Sequence, residues 1–184
     1  MRTKVDYNDV IEVKKFPLLR DERGFFSPTI LKNEWVQSNF SYNEKALTFR
    51  GMHYQEGSFA QQKTVQVYSG KILDIVKDIR PESNTFGAVD AFYLEPGEFI
   101  VVPRGFAHGF VTLEPSTIIQ YFVDNDYSPK NEGIISWKTC LTEDIEEMIF
   151  KLRDELNLQL TISDKDDKAE SWKSFCERVM NYRK

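Results

Sequence analysis

Thr64-Val65-Gln66-Val67-Tyr68 alternates between polar and apolar side chains, and Ser69-Gly70, which follows it, is a two-residue turn signal. The run from Lys71 to Ile79 is then rich in apolar residues. Alternation with a period of two is typical of a strand that buries one face. A short connection containing glycine favours a hairpin between two such runs. We therefore predict an antiparallel β-hairpin over residues 64–79.

Short runs of the same kind lie on both sides of this hairpin. Proline and glycine interrupt strands, and they separate these runs at Glu95-Pro96-Gly97-Glu98 and at Pro103-Arg104-Gly105. The spacing of the turn signals, roughly one in every ten residues, is typical of a β-sandwich or barrel. Leu31 to Asn39 is predicted to be a short helix or a loop, and Asn39 to Asn43 a loop. Further strands are predicted at 46–54, 86–94, 99–102, 106–111 and 117–123, and a hairpin at 10–26.

Helical patterns replace the strands after Trp137. Residues 142–156 place apolar side chains at helical spacing, and Thr142 is in the position of an N-cap. A polar loop is predicted at 163–166, and a second helix at 168–182.

At 184 residues the chain is long enough for one domain with its own hydrophobic core. Apolar residues make up 41% of it and charged residues 29%, as is usual for globular proteins. The 14 Phe and 8 Tyr residues favour sheets. We predict an all-β protein of one domain over 1–184, in which a β-barrel at 1–138 carries a helical C-terminal cap at 139–184.

Charge and cysteine content argue against several classes of function. The net charge of -5 offers no general attraction to nucleic acid or to acidic membranes. Cys140 and Cys176 lack C-x-x-C spacing, so they indicate neither a zinc site nor a disulfide framework. The first residues lack an apolar signal region, and no apolar run reaches transmembrane length. We expect a cytoplasmic protein with no nucleic-acid or membrane partner.

One of the two histidines lies in Arg50-Gly51-Met52-His53-Tyr54-Gln55. An imidazole can give or take a proton near neutral pH, and here a guanidinium and an amide are close to it in the sequence. In an extended strand His53 and Gln55 share a face, and Gly51 is expected to keep that face open beside the imidazole. The alternative is a half-buried strand whose histidine has only a structural role.

The second histidine, His108, is also next to a glycine, but two histidines are too few for a metal site built from several imidazoles. No metal or cofactor is therefore predicted. A small barrel has room for one small ligand in its interior. One imidazole, one carboxylate and one phenol there would suit proton abstraction next to a carbonyl. The residues alone do not select which carboxylate and which phenol.

Several motifs together carry a resemblance to a known family. Asp21-Glu22-Arg23-Gly24-Phe25-Phe26 is similar to its opening motif, Arg50-Gly51-Met52-His53-Tyr54-Gln55 to R-G-L-H-[FY]-Q, and Pro103-Arg104-Gly105-Phe106-Ala107-His108-Gly109-Phe110 to P-x-G-F-A-H-G-F. Tyr121, Tyr127-Ser128-Pro129, Glu132 and Ser163-Asp164-Lys165-Asp166 fit the segments that follow. On these residues the chain resembles the dTDP-4-dehydrorhamnose 3,5-epimerases. The resemblance implies a metal-free, cupin-like jelly-roll β-barrel.

The resemblance also implies a role for each matching residue. His53 would be the base that removes a proton from the carbon next to the C4 ketone, with Asp166 as its carboxylate partner. Tyr121 would be the acid that returns a proton from the opposite face, and Lys63 would stabilise the enolate. The alternatives are packing for Tyr121 and simple solvation for Asp166. The other matches line the substrate site: Arg23 and Arg50 at the diphosphate, Tyr127 stacked on the base, and Gln37, Asn39, Gln55, His108, Glu132 and Lys165 around them.

The activity that the resemblance implies is epimerisation at C3, C5 or both of a nucleotide-diphosphate-linked 4-keto sugar, for deoxysugar or polysaccharide biosynthesis. The family forms dimers, which implies a homodimer. At Ser27-Pro28 the chain departs from the family, which has an aromatic residue and a glutamate that contacts thymine. Two alternatives remain: the same chemistry on another nucleotide sugar or at one carbon only, and a non-catalytic cupin that binds a sugar nucleotide.

Overall fold

The computed structural model describes residues 11–16, 19–21, 24–26 and 35–181, with the backbone alone described at 19–21 and 24–26. Strands dominate up to residue 134, and helices follow. The strands of the described part are β1 (Lys14–Lys15), β2 (Leu19–Asp21), β3 (Gly24–Phe26), β4 (Gln37–Asn43), β5 (Phe49–Gln55), β6 (Lys63–Ser69), β7 (Ile72–Asp78), β8 (Val89–Leu94), β9 (Glu98–Val102), β10 (Phe106–Thr112), β11 (Thr117–Val123) and β12 (Glu132–Ile134).

These strands form two five-stranded antiparallel sheets and one short hairpin. The first sheet has the order β1-β9-β6-β11-β4, and the second sheet has the order β12-β5-β10-β7-β8. The two sheets enclose a shared apolar interior, to which Val65 and Ile119 contribute from the first sheet and Val76 and Phe106 from the second. This is the jelly-roll β-barrel that was predicted. The hairpin predicted at 10–26 is found only at its C-terminal end, where β2 pairs with β3. Its first part is wrong, because β1 pairs with β9 instead.

The hairpin predicted over 64–79 is wrong, although both of its strands are present. β6 pairs with β9 and β11 in the first sheet, whereas β7 pairs with β8 and β10 in the second. Gly70, whose φ is 77°, turns the chain from one sheet to the other, and a Cβ there would lie 2.1 Å from Oγ1 of Thr117. Alternation indicates which face of a strand is buried, but it does not identify the partner strand.

The loop predicted at Asn39 to Asn43 is also wrong, since these residues belong to β4. This strand pairs with β11 along its whole length, from Gln37 opposite Val123 to Asn43 opposite Thr117. As the edge strand of its sheet, it has one ladder partner and carries mainly polar side chains, so its sequence shows no strong strand pattern.

The strands β7 and β10 of the second sheet are buried on both faces. In β7, Ile72 and Val76 pack into the barrel interior, whereas Leu73 and Ile75 pack beneath the helices. Burial on both faces explains why this strand is apolar without alternation. Asp74 has the same parity as Ile72 and Val76, so it lies on the interior face.

Helices cover the outer face of the second sheet. They are α1 (Trp137–Cys140), α2 (Glu143–Leu156), α3 (Asp164–Asp167) and α4 (Trp172–Asn181), with a 3-10 turn at Gly57–Phe59. Ile149 of α2 and Phe175 of α4 are buried in a second apolar core, which lies between the helices and the outer face of this sheet. Thr142 precedes α2 as predicted, but its side chain makes no capping hydrogen bond. Within the described ranges, no helix has the length and apolar character needed to cross a bilayer.

The polar loop predicted at 163–166 is wrong, because this segment starts α3. The Ser163 hydroxyl accepts a hydrogen bond from the backbone amide of Asp166 at 3.1 Å and so caps the helix. Asp166 is buried, with 4% of its surface exposed, which also excludes simple solvation. The second predicted helix, at 168–182, corresponds to α4.

Candidate active site

A β-bulge in β5 builds one wall of the site. His53 is opposite His108 in β10, and the register of the two strands shifts by one residue between Arg50 and His53. The extra residue in β5 reverses the alternation of side chains. As a result Arg50 and His53, three residues apart, line the same cavity.

Gly51 occupies the bulge, and its role differs from the one predicted. Its φ is 128°, and a Cβ there would lie 2.6 Å from Cα of Gly109. Glycine is therefore required because β10 approaches closely, and not to keep a face open beside the imidazole. The backbone amide of Gly51 also donates a hydrogen bond to Oδ2 of Asp166 at 3.2 Å.

His53 and Asp166 form a hydrogen-bonded pair. Nε2 of His53 is 2.8 Å from Oδ1 of Asp166. Burial alone would raise the pKa of Asp166, but its hydrogen bond and charge interaction with His53 and the Gly51 amide outweigh burial and lower it. An ionised carboxylate only accepts, so Nε2 carries the proton and Nδ1 is left with a free lone pair. About a third of the His53 side chain is exposed, at 35%, so a substrate can reach it.

Tyr121 lies on β11, in the sheet that faces His53 across the barrel. Both residues line the same two cavities. Burial raises the pKa of the Tyr121 phenol, although the positive charge of Arg50 opposes this. Tyr121 is therefore protonated at neutral pH and able to donate a proton.

Lys63 opens β6 and lines both cavities between these two groups. Burial lowers its pKa to about 8, while the charges of Glu132 and Asp74 oppose the change. Among the described residues, no hydrogen-bond partner holds its ammonium group. An ammonium group that makes no hydrogen bond to the protein can interact with the charge that develops on a bound ligand.

The two cavities form one cleft, since His53, Lys63 and Tyr121 belong to both. The first has a volume of about 240 Å³ and the second about 360 Å³. The first is also lined by Phe40, Ser41, Tyr42, Arg50, His108 and Phe110, and the second by Gln37, Asn39, Tyr54, Gln55, Gln61, Val123, Tyr127 and Glu132.

A polar cluster forms one side of the second cavity. Tyr127 Oη and Lys165 Nζ both donate to Oε2 of Glu132, at 2.9 and 2.7 Å. Burial would raise the pKa of Glu132, but these two hydrogen bonds lower it overall. Nearby, Oε1 of Gln55 accepts from the amide of Ser128 at 3.1 Å, which fixes the loop before β12.

Most of the residues predicted for the site are brought together. Gln37 and Asn39 lie side by side in the second cavity, with Nε2 of Gln37 donating to Oδ1 of Asn39 at 2.6 Å. Lys165 lines neither cavity and reaches the site through Glu132. Arg23 lies outside the described residues.

Several polar residues at the site were not predicted from the sequence: Ser41, Tyr42 and Gln61 line the cavities, and Asp74 and Asn43 hold two of the predicted side chains. Asp74 bonds to Nε2 of His108 at 2.8 Å, and Asn43 accepts from Nε of Arg50 at 2.8 Å. Asp74 had a signal, since it is a charged residue with two apolar residues on each side in the sequence. Asn43 had none, because its segment was predicted to be a loop.

In the part of the chain that the structure describes, no group of three or more His, Cys, Asp or Glu side chains could hold a metal ion. The cleft brings together a paired imidazole, a phenol and a lysine. This set can remove a proton from carbon on one face and return one on the other.

Comparisons with known proteins identify the family of the chain. The sequence profile of the family described as dTDP-4-dehydrorhamnose 3,5-epimerase matches residues 4–174. The dTDP-4-dehydrorhamnose 3,5-epimerase of Salmonella typhimurium is 39% identical over 140 residues, which cover 70% of this chain and 74% of that protein.

Solved structures give the same result. The crystal structure of the Bacillus anthracis epimerase with TDP and PPi bound has a TM-score of 0.74 and 31% identity, and the match covers 90% of this chain and 98% of that one. The Legionella pneumophila enzyme in complex with dTDP-4-keto-L-rhamnose has a TM-score of 0.73 and 28% identity, over 93% and 90% of the two chains. By profile, sequence and fold, this chain belongs to the dTDP-4-dehydrorhamnose 3,5-epimerase family.

Proposed function

We propose that this protein is an isomerase that epimerises C3, C5 or both of a dTDP-linked 4-keto-6-deoxy sugar. The observation on which this depends most is the pairing of His53 with Asp166 in a cleft whose opposite wall carries Tyr121. The relatives named above are 3,5-epimerases, which favours reaction at both carbons.

The reaction begins with Nδ1 of His53, which takes a proton from the carbon next to the C4 ketone. The electron pair of the broken C–H bond moves to the ketone oxygen and forms an enolate. Asp166 stabilises the imidazolium that results, because its carboxylate is held ionised beside Nε2. The ammonium group of Lys63 stabilises the negative charge on oxygen.

Inversion requires that the new proton arrive on the other face of the sugar. Tyr121 is suited to this step because it lies on the sheet opposite His53 and its phenol is protonated. When the phenol gives its proton to carbon, the enolate returns to the ketone. Solvent then restores the proton of Tyr121 and removes the one on His53.

The rest of the cleft suits a nucleotide diphosphate. Arg50 lines the first cavity with a guanidinium group, which matches the geometry of phosphate oxygens. Tyr127, with 48% of its surface exposed beside the second cavity, offers a face on which a base can stack. We assign Arg23, Gln37, Asn39, Gln55, His108, Glu132 and Lys165 to the same substrate site.

The test is proton exchange with solvent. The protein is incubated in deuterium oxide with a dTDP-linked 4-keto-6-deoxy sugar, and the label is located by NMR. Deuterium at C3 and C5 supports a double epimerase, and deuterium at one carbon supports a single epimerase. Absence of exchange, with binding retained, would instead indicate a sugar-nucleotide-binding protein and would overturn the proposal.

We further propose that the chain acts as a single domain in a cytoplasmic homodimer that serves polysaccharide biosynthesis. Phe40 and Tyr42 on the edge strand β4 and Tyr68 on β6 are exposed aromatic side chains of the first sheet, and such a patch favours contact with a second copy. The free thiols of Cys140 and Cys176 suit a reducing compartment. Sedimentation of the purified protein tests the dimer.

A further inference from the structure

Asn43 is the last residue of β4, and only 2% of its surface is exposed. Its Nδ2 donates to the backbone carbonyls of Thr117 at 3.2 Å and Ser41 at 3.4 Å. An amide nitrogen has two protons, and both are directed to the backbone. The orientation of the side chain is therefore fixed, and Oδ1 is the atom that faces Arg50.

Arg50 is held through its inner nitrogen alone. Nε donates to Oδ1 of Asn43 at 2.8 Å, and within the described residues its terminal nitrogens have no hydrogen-bond partner. The side chain is exposed and lines the cavity that also contains His53, Lys63 and Tyr121. The two terminal nitrogens of Arg50 therefore remain available, and such a pair can bind two phosphate oxygens in parallel.

A free arginine side chain loses much rotamer freedom when it binds a ligand. A hydrogen bond that fixes Nε in advance reduces that loss, because the fork is already near its bound position. We propose that Asn43 is a positioning residue, which holds the guanidinium group of Arg50 ready for the diphosphate of the substrate. This inference rests on the proposed function, since it assumes a nucleotide-diphosphate ligand.

The experiment measures equilibrium binding of dTDP and of thymidine by calorimetry. Asn43→Ala is expected to weaken dTDP binding by about fivefold to tenfold, through loss of one hydrogen bond to a charged group. Thymidine binding is expected to stay unchanged, because thymidine has no phosphate. In the Arg50→Ala background, Asn43→Ala is expected to have no further effect on dTDP binding.

Asn43→Ser guards against a variant that fails to fold. Its hydroxyl can still donate to a backbone carbonyl, but it is too short to reach Nε of Arg50. Gln66→Ala is the matched control, because Gln66 is a buried amide in the same sheet whose hydrogen bond goes to Gln120 instead. The control should lower the melting temperature to a similar degree and leave dTDP binding intact.

The outcomes separate the two proposals. If the unmodified protein does not bind dTDP, the proposed substrate class is wrong. If it binds dTDP and both Asn43 variants bind it equally well, the positioning role is wrong. An equal loss of thymidine binding, or a loss that persists without Arg50, would also overturn it, since either result indicates a general structural effect.

Discussion

The barrel contains two histidine–aspartate pairs that are almost identical in geometry and opposite in environment. Nε2 lies 2.8 Å from the carboxylate in both His53–Asp166 and His108–Asp74. In the first pair 35% of the imidazole side chain is exposed, and in the second only 10%. The Gly51 amide donates to the second oxygen of Asp166, whereas Oδ1 of Asp74 is buried with no partner among the described residues.

These differences give the two carboxylates opposite properties. Hydrogen bonds lower the pKa of Asp166 despite its burial, and burial raises the pKa of Asp74 despite the charge of His108. The first pair thus combines a stable carboxylate with an accessible imidazole, which is what a general base requires. Distance alone would not distinguish the two pairs, but solvation and the remaining hydrogen bonds do.

Replacement of the two histidines should separate the pairs most clearly. His53→Asn is expected to lower the rate of deuterium exchange by about 10³-fold, because it removes the base. His108→Asn is expected to raise KM and to retain exchange. Exchange is followed by NMR, with circular dichroism as the check on folding. A His53→Asn protein that exchanges at the normal rate would assign the base elsewhere.

Tyr121→Phe tests whether the His53–Asp166 pair needs a proton donor on the opposite sheet of the barrel. The variant keeps the ring and loses the phenol proton, so net inversion is expected to fall by about 10²-fold. Wash-in of deuterium without inversion should continue, because His53 can return a deuteron to the face from which it took the proton. The two signals are compared in one sample, and full inversion by the variant would exclude Tyr121 as the acid.

Asp166→Asn and Asp74→Asn form a matched pair of nearly isosteric changes. Loss of the charge beside His53 is expected to lower kcat by about 10²-fold, since the imidazolium formed during reaction is no longer stabilised. Loss of the charge beside His108 should lower it by less than about tenfold, because that pair contacts the cleft only through its imidazole. If the two changes lowered kcat equally, the difference in environment between the two pairs would have no role in catalysis.

Only part of the difference between the two histidine–aspartate pairs could be predicted from the sequence. The result for each residue depended on the motif around it. His53 and Tyr121 lie in strands that the hydrophobic pattern predicted, and the family resemblance assigned both residues to the site. In the structure both line the cleft. Asp166 could be assigned only by resemblance, because a buried carboxylate in a segment of polar residues has no local signature. Its burial depends on the short helix α3 and on contacts with β5, which is more than a hundred residues away in the chain.

The errors in the strands have a common physical cause. The alternation of apolar and polar residues indicates which face of a strand is buried, but it does not indicate which strand pairs with it. The pairing of β6 with β9 and β11, the strand at β4 and the bulge at Gly51 all depend on neighbours distant in sequence. The position of Arg50 in the cleft depends on that bulge, since regular alternation would place it on the face opposite His53.

The smallest expected effect is on stability, and the two carboxylates should differ in its sign. Asp166 has a lowered pKa in the folded state, so its contribution is present above the unfolded pKa and is lost as pH falls through the folded value. Asp74 has a raised pKa, so the folded state gains stability as pH falls and loses it as pH rises through that value. At neutral pH, Asp166→Asn should therefore lower the free energy of unfolding by about 1 kcal/mol.

Asp74→Asn should raise the free energy of unfolding at neutral pH, because it removes a charge that burial disfavours while its amide oxygen can still accept from His108. Urea unfolding at neutral pH and at about pH 4.5 measures both changes. The gain from Asp74→Asn should shrink at the lower pH, where the native carboxyl has begun to take up its proton. If the effect of Asp74→Asn is the same at both pH values, burial does not disfavour the ionised form of Asp74, and the contrast between the two pairs then rests on accessibility alone.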